Sequence, residues 1–226
     1  MKKIASFFLC GLLIVGCGMS NLGKGTLIRS GAGAALGAGI GYILGGDGKS
    51  AAIGAGIGTA VGGGAGALIG NKMDKKAAEL AALEDAQVET VTDVNGLKAI
   101  KVTFDSGILF DFNKSTLKPK AKASLNKFAS EMSDMPETNI NVYGHTDNVG
   151  TAAANKKVSE QRANSVASYL TQQGIAKDRI VAEGLSYDFP VADNTTAEGR
   201  AQNRRVEIYI SANEEMVKEA ENGTLQ

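Results

Sequence analysis

The chain has 226 residues, enough for one ordinary domain with attachments, and its 24 basic and 24 acidic side chains cancel. That balance excludes the basic face a nucleic-acid binder needs, so no nucleic-acid partner is expected. Aromatic residues are few, tryptophan is absent, and 16 of the 29 glycines fall between Gly31 and Gly70, so composition divides the molecule before any motif is read.

Met1-Lys2-Lys3 is a basic start, residues 4–15 are apolar but short for a bilayer crossing, and Gly16-Cys17 follows. Residues 1–16 therefore read as a secretory signal. Because the stretch stops at a cysteine, it resembles the lipobox of bacterial lipoproteins. The resemblance implies cleavage before Cys17, diacylglycerol on its sulfur and an acyl chain (such as palmitate) on its new amino group. Cys10 would be discarded, leaving no pair of thiols for a disulfide. Several acyl chains anchor firmly, at roughly 0.8 kcal/mol per buried methylene. Gly18 stands where an aspartate would favour inner-membrane retention, so the expected location is the outer membrane, with the C-terminal part in the periplasm.

Residues 17–70 form the next segment. Gly33, Gly37, Gly41 and Gly45 recur every four residues, as do Gly54, Gly58, Gly62, Gly66 and Gly70. A four-residue period lays each set along one side of a helix. In water, each glycine costs a helix about 1 kcal/mol relative to alanine. In lipid, small residues let two helices approach closely. The rows thus predict a membrane hairpin of helices over 27–46 and 51–70, each about 30 Å long. This segment also resembles the glycine-zipper segments of outer-membrane lipoproteins. A periplasmic Gly-Ala tether, or self-association of copies into a homo-oligomer through the same rows, are the alternatives. Gly48-Lys49-Ser50 imitates a phosphate loop, but Ile43 stands where that loop needs glycine.

Residues 71–104 read as a connector, with a short helix over 72–86 and a β-hairpin (88–94 and 97–104) around Asn95-Gly96. Residues 105–213 read as a globular domain, and 214–226 as a tail. Ile108, Phe110 and Phe112 alternate as one strand face. Pro119 opens a helix whose stripe is Ala121, Leu125, Phe128, Ala129 and Met132. Strands are predicted at Ile140 and Val142, over 180–185, and at Val206, Ile208 and Ile210, with a second helix over 152–172 stopped by Gly174. The expected fold is α/β: a mixed four-stranded sheet with helices packed on it, in the order βαβαββ.

On the second helix Ala154, Val158, Val166 and Leu170 define an apolar stripe, and Arg162 falls in it. A buried guanidinium needs a partner, and Asp147 in Gly144-His145-Thr146-Asp147-Asn148 is the nearest plausible carboxylate. The two either close into an internal ion pair or stay apart and present opposite charges to a zwitterion. His145 is the single histidine and reads as a loop residue with local hydrogen bonds. Arg204 and Arg205 read as structural partners of the final strand.

The run from Thr146-Asp147, through Gly150, Asn155 and Ser159, to Arg162-Ala163 resembles the signature of the OmpA-like peptidoglycan-binding domain. Phe110-Asp111-Phe112-Asn113-Lys114 matches its entry motif, and Gly199-Arg200-Ala201-Gln202-Asn203-Arg204-Arg205-Val206-Glu207 its end. Val158 in place of leucine is the one departure. The resemblance implies binding of peptidoglycan through the diaminopimelate of the stem peptide, with Asp147 on the ammonium and Arg162 on the carboxylate. Phe112, Asn113 and Thr146 would line the pocket, and Asn155 would hold the loop. It also implies a tether joining outer-membrane lipid to the wall. No nucleophile–base pair or metal cluster appears, so neither enzyme activity, metal nor cofactor is expected. The alternative role is a glycine-zipper membrane assembly that wall binding merely positions. A motor-stator role of the related MotB type would need a proton-carrying carboxylate in a membrane helix, and Asp47 in a glycine turn suits it poorly.

Overall fold

The computed structural model describes residues 63–225, apart from Val94 and Phe112. Cys17, the lipobox, the first glycine row and the second as far as Gly62 lie outside the described residues.

Helix α1 (Gly63–Leu80) runs unbroken across the expected boundary between glycine segment and connector. Ala65, Ile69, Met73, Ala77 and Leu80 make one buried stripe on it, and Ile69, Met73 and Leu80 are fully enclosed. The last turns of the expected membrane helix over 51–70 therefore belong to the globular core. A Cβ at Gly66 would meet Leu97 at 4.0 Å and one at Gly70 would meet Lys98 at 3.9 Å. These two zipper positions thus face the domain's own hairpin. No helix among the described residues is long and apolar enough to cross a membrane.

That hairpin is β1 (Ala86–Thr92) and β2 (Lys98–Asp105). Asp93 closes its loop by accepting from the amides of Asn95 and Leu97, and Gly96 supplies the positive φ of +76°. The hairpin is part of the sheet rather than a connector. With β3 (Thr138–Gly144), β4 (Ile180–Gly184) and β5 (Arg205–Ala212) it forms one five-stranded sheet, ordered β1-β2-β5-β3-β4. Only β3 and β4 are parallel. The mixed sheet was expected with four strands. The difference arises because Ile100, Val102 and Phe104 stand opposite Ile210, Ile208 and Val206, so two apolar rows share one face.

Ile108 and Phe110, by contrast, do not lie in a strand. Asp105 caps a single helical turn, α2 (Ser106–Leu109), accepting from the Gly107 amide at 2.6 Å. Phe110 then makes a lone bridge to Leu117. Leu109 closes that helical turn and Phe110 follows it, and both are buried.

Helices α3 (Pro119–Glu131) and α4 (Ala152–Gln172) lie where the periodicity placed them, and the α3 stripe of Ala121, Leu125, Phe128 and Ala129 is buried with Met132. A 3-10 turn (Lys177–Arg179) leads into β4, and α5 (Ala197–Asn203) precedes β5. The expected tail carries α6 (Glu214–Glu221), whose Met216, Val217 and Ala220 enter the same core as α1, α3, α4 and the sheet. Neither the connector nor the tail stands outside that core.

On α4 the buried face is Asn155, Ser159, Arg162, Ala163, Val166 and Leu170, whereas Ala154 is exposed and Val158 half-buried. Close approach to the strand ends rotates the stripe. A Cβ at Gly144 would stand 2.2 Å from the Ser159 carbonyl, and one at Gly184 2.2 Å from the Glu160 amide. Both positions must be glycine for the helix backbone to sit against β3 and β4 at the point where the next loop begins.

Candidate binding site at the end of strand β3

The loop after Gly144 is pinned on three sides. The His145 amide donates to the Arg205 carbonyl at 2.9 Å, and the Thr146 amide donates to the Ser186 carbonyl at 2.8 Å. Ser159 on α4 accepts from the Ser186 amide at 3.1 Å. Asn155 holds the far side, donating to the Val149 carbonyl at 3.1 Å, as the resemblance implied. Thr151 caps α4 by accepting from the Ala154 amide.

Asp147 is 8% exposed in this loop. Its Oδ1 accepts from the Val149 amide at 3.0 Å, and its Oδ2 accepts from Arg204 Nη1 at 2.6 Å. Arg204 sits between α5 and β5, and its side chain is 40% exposed. The sequence reading assigned Arg204 to the final strand. Instead it reaches sideways to the loop, while its neighbour Arg205 turns inward. Adjacent arginines in an extended chain point to opposite sides, and nothing in their order says which goes where.

Arg162 is 6% exposed and forms no ion pair among the described residues. Its Nε donates to the Lys114 carbonyl at 3.2 Å, and its guanidinium carbon lies 5.3 Å from the centre of the Phe110 ring. Such a cation–π contact is worth about 0.5–2 kcal/mol. Burial, and then the like charge of Arg204, draw its pKa below the ordinary arginine value, while Asp147 pulls the other way. An arginine stays protonated through shifts of that kind, so the terminal nitrogens carry a buried charge without a counter-ion in contact.

Of the expected site residues, Asp147, Thr146 and Arg162 converge on one region. Thr146 is 5% exposed and its hydroxyl oxygen is buried without a hydrogen-bond partner. Asn113 is exposed, adopts a left-handed φ of +55°, and adjoins the Lys114 carbonyl that Arg162 holds. Phe112 lies outside the described residues. The sequence reading did not foresee the direct partners Arg204, Phe110 and the Lys114 carbonyl. The Phe-x-Phe spacing was the only signal for Phe110, and it was read as a strand face.

His145 corrects another expectation. It is 1% exposed, neither ring nitrogen has a hydrogen-bond partner among the described residues, and Nε2 lies 3.4 Å from Glu207 Oε2. It faces the buried set on the other side of β5, where Glu207 accepts from Arg205 Nε at 2.8 Å and from the Tyr209 hydroxyl at 3.0 Å. Burial alone would raise the Glu207 carboxyl, but His145 and Arg205 outweigh it and hold the group well below the usual carboxylate range. Burial lowers His145, against the pull of Glu207 and with the push of Arg205 and Lys101.

Comparison with known proteins agrees with this architecture. Residues 109–204 match the OmpA family, and residues 1–74 match the YMGG-like Gly-zipper. Outer membrane protein A of Bordetella avium is 48% identical over 112 residues, which are 50% of this chain and 58% of that protein. The peptidoglycan-binding protein ArfA of Mycobacterium bovis is 39% identical over 113 residues, 50% of this chain and 35% of that one. The chain thus spans less than two thirds of the length of either relative. Among solved structures, the cell wall anchor of the T6SS from Pseudomonas aeruginosa is 30% identical, with a TM-score of 0.52 over 62% of this chain and 96% of that one. The matched span opens at Leu109, on the turn beside Arg162, and closes at Arg204, the residue that grips Asp147, so residues 109–204 of the chain are an OmpA-family domain.

Proposed function

We propose that the domain binds peptidoglycan at the Asp147–Arg162 site, and that the protein is an outer-membrane lipoprotein tethering membrane to wall. The observation that carries the reading is Arg162: a buried, charged guanidinium with no ion pair among the described residues, beside a carboxylate that does not neutralise it. A buried cation without its counter-ion is costly, and a ligand carboxylate would remove the cost through charge-assisted hydrogen bonds. The Asp147 carboxylate suits the ammonium of the same ligand. The free amino-acid end of diaminopimelate carries both groups on one carbon. The names of two similar proteins, a peptidoglycan-binding protein and a cell wall anchor, support the choice of the wall as partner. Attachment to the membrane rests on Cys17.

The test uses the full chain in detergent, sedimented with sacculi whose stem peptides carry either diaminopimelate or lysine. Diaminopimelate sacculi should retain the protein. Asp147→Asn and Arg162→Gln should each weaken retention at least about 30-fold, the loss expected when one partner of a buried charge contact is removed. Folded variants that bind like the wild type would contradict the assigned site. Cys17→Ser should release the protein from the membrane fraction.

The Gly-zipper match favours a second reading, assembly through the glycine rows. Loss of crosslinked oligomers in Gly58→Leu, with wall binding intact, would support it.

A further inference from the structure

The two guanidiniums of the site are held in opposite ways. Arg162 is 6% exposed and fixed by the Lys114 carbonyl and the Phe110 ring. The backbone of Arg204 is fixed: its carbonyl accepts from the Ser106 amide at 2.9 Å and its amide donates to the Arg200 carbonyl at 3.1 Å. Its side chain is 40% exposed, and among the described residues its side-chain bond is to Asp147. Both carboxylate oxygens of Asp147 are already engaged, one by the Val149 amide and one by Arg204. An ammonium arriving at Asp147 meets a seat that the chain itself has filled with a cation.

We infer that Arg204 is the specificity gate of the site: it holds the Asp147 carboxylate within the chain and is exchanged for the ammonium of the ligand on binding. The inference rests on the peptidoglycan reading above and extends it. A ligand with only a carboxylate could reach Arg162 while leaving the Arg204–Asp147 pair intact. A zwitterionic end supplies a cation that replaces Arg204, and its carboxylate neutralises Arg162 at the same time. The released guanidinium, on a long stem that is already 40% exposed, returns to water at small cost. Its departure also relieves the repulsion between two like charges that share the site. If the ligand amine is acylated, as in a cross-linked stem, the cation is gone and Arg204 keeps its place, so the gate selects free amines.

The probe is meso-diaminopimelate, titrated calorimetrically into the full chain in detergent. Arg204→Gln should bind it up to about fivefold more tightly than the wild type, the range of a half-exposed ion pair. Arg204→Lys, which keeps a cation, should stay near the wild type, and Arg162→Gln should lose binding in either background. In the wild type, the guanidinium NMR signal of Arg204 should move towards that of a solvated arginine as the probe is added, a readout that needs no variant. Weaker or equal binding by Arg204→Gln, or an Arg204 signal that does not move, overturns the gate and leaves the wall reading standing. If neither wild type nor Arg204→Gln binds the probe, the wall reading fails and the gate with it.

Discussion

Two buried arginines, Arg205 at the start of β5 and Arg162 on α4, meet opposite fates. Arg205, 4% exposed, is satisfied on every side: Glu207 at 2.8 Å, the Asn203 carbonyl at 3.3 Å and the Phe189 carbonyl at 3.1 Å. Arg162, 6% exposed, has one carbonyl and one aromatic face, and its terminal nitrogens have no ion-pair partner among the described residues. The same side chain at nearly the same burial thus serves structure in one region and is left available in the other. A fully paired network rigidifies; a buried charge held short of its partner is kept at a cost, and such a cost points to a ligand.

The comparison can be broken first where the effect is largest. Glu207→Ala leaves Arg205 buried and unpaired and should cost about 3–5 kcal/mol of unfolding free energy. Chemical denaturation reads this directly, and a loss below 1 kcal/mol would show the network to be decorative. Arg162→Leu should do the reverse, holding stability within about 1 kcal/mol of the wild type because it removes a charge that lacked a partner. Wall binding should nonetheless vanish. If unfolding of this variant is strongly destabilised, Arg162 belongs with Arg205 as a structural cation.

The extent of the domain gives a smaller effect. A fragment that begins at Lys72 lacks Ala65 and the fully buried Ile69. Compared with one that begins at Gly63, it should lose about 1.5–3 kcal/mol for the isoleucine alone. Equal melting of the two fragments would show that the first turns of α1 are dispensable.

Acid should act through the paired region. His145 has its pKa lowered by burial from 6.5 in the folded state, so the unfolded chain takes up its proton first. Glu207, held below its ordinary 4.5, behaves alike in sign. Stability should be level between about pH 6.5 and 10, fall as pH drops below that range through His145, and fall again below about pH 4.5 through Glu207. In His145→Phe the first decline should disappear from the urea midpoint plotted against pH, and its persistence would assign that decline elsewhere.

Much of this was legible in the residues. The stripe of α3, the limits of α4 and the alternation of β5 follow from period and turn chemistry, and Asp147 and Arg162 stood out as an acid at a strand end and a cation on a buried face. The membership of the hairpin was not legible, because pairing Ile100 with Ile210 is a contact across 110 residues that no local pattern announces. Residues 108–112 misled because Asp105 and Gly107 make a capped turn within a sequence that alternates like a strand. Arg204 and Arg205 were inseparable until the turn between α5 and β5 fixed which side each faces. The rotation of the α4 stripe came from Gly144 and Gly184, whose missing side chains count only once the helix lies against them.

The account depends on Asp147 and Arg162 being held near each other without forming an internal pair. A double-mutant cycle on unfolding, with Asp147→Asn, Arg162→Gln and the two combined, measures that relation. The predicted coupling in stability is below about 0.5 kcal/mol, although either change alone abolishes retention on diaminopimelate sacculi. A coupling of about 2 kcal/mol or more, with retention unaffected, would mean that the two charges serve each other and not the wall.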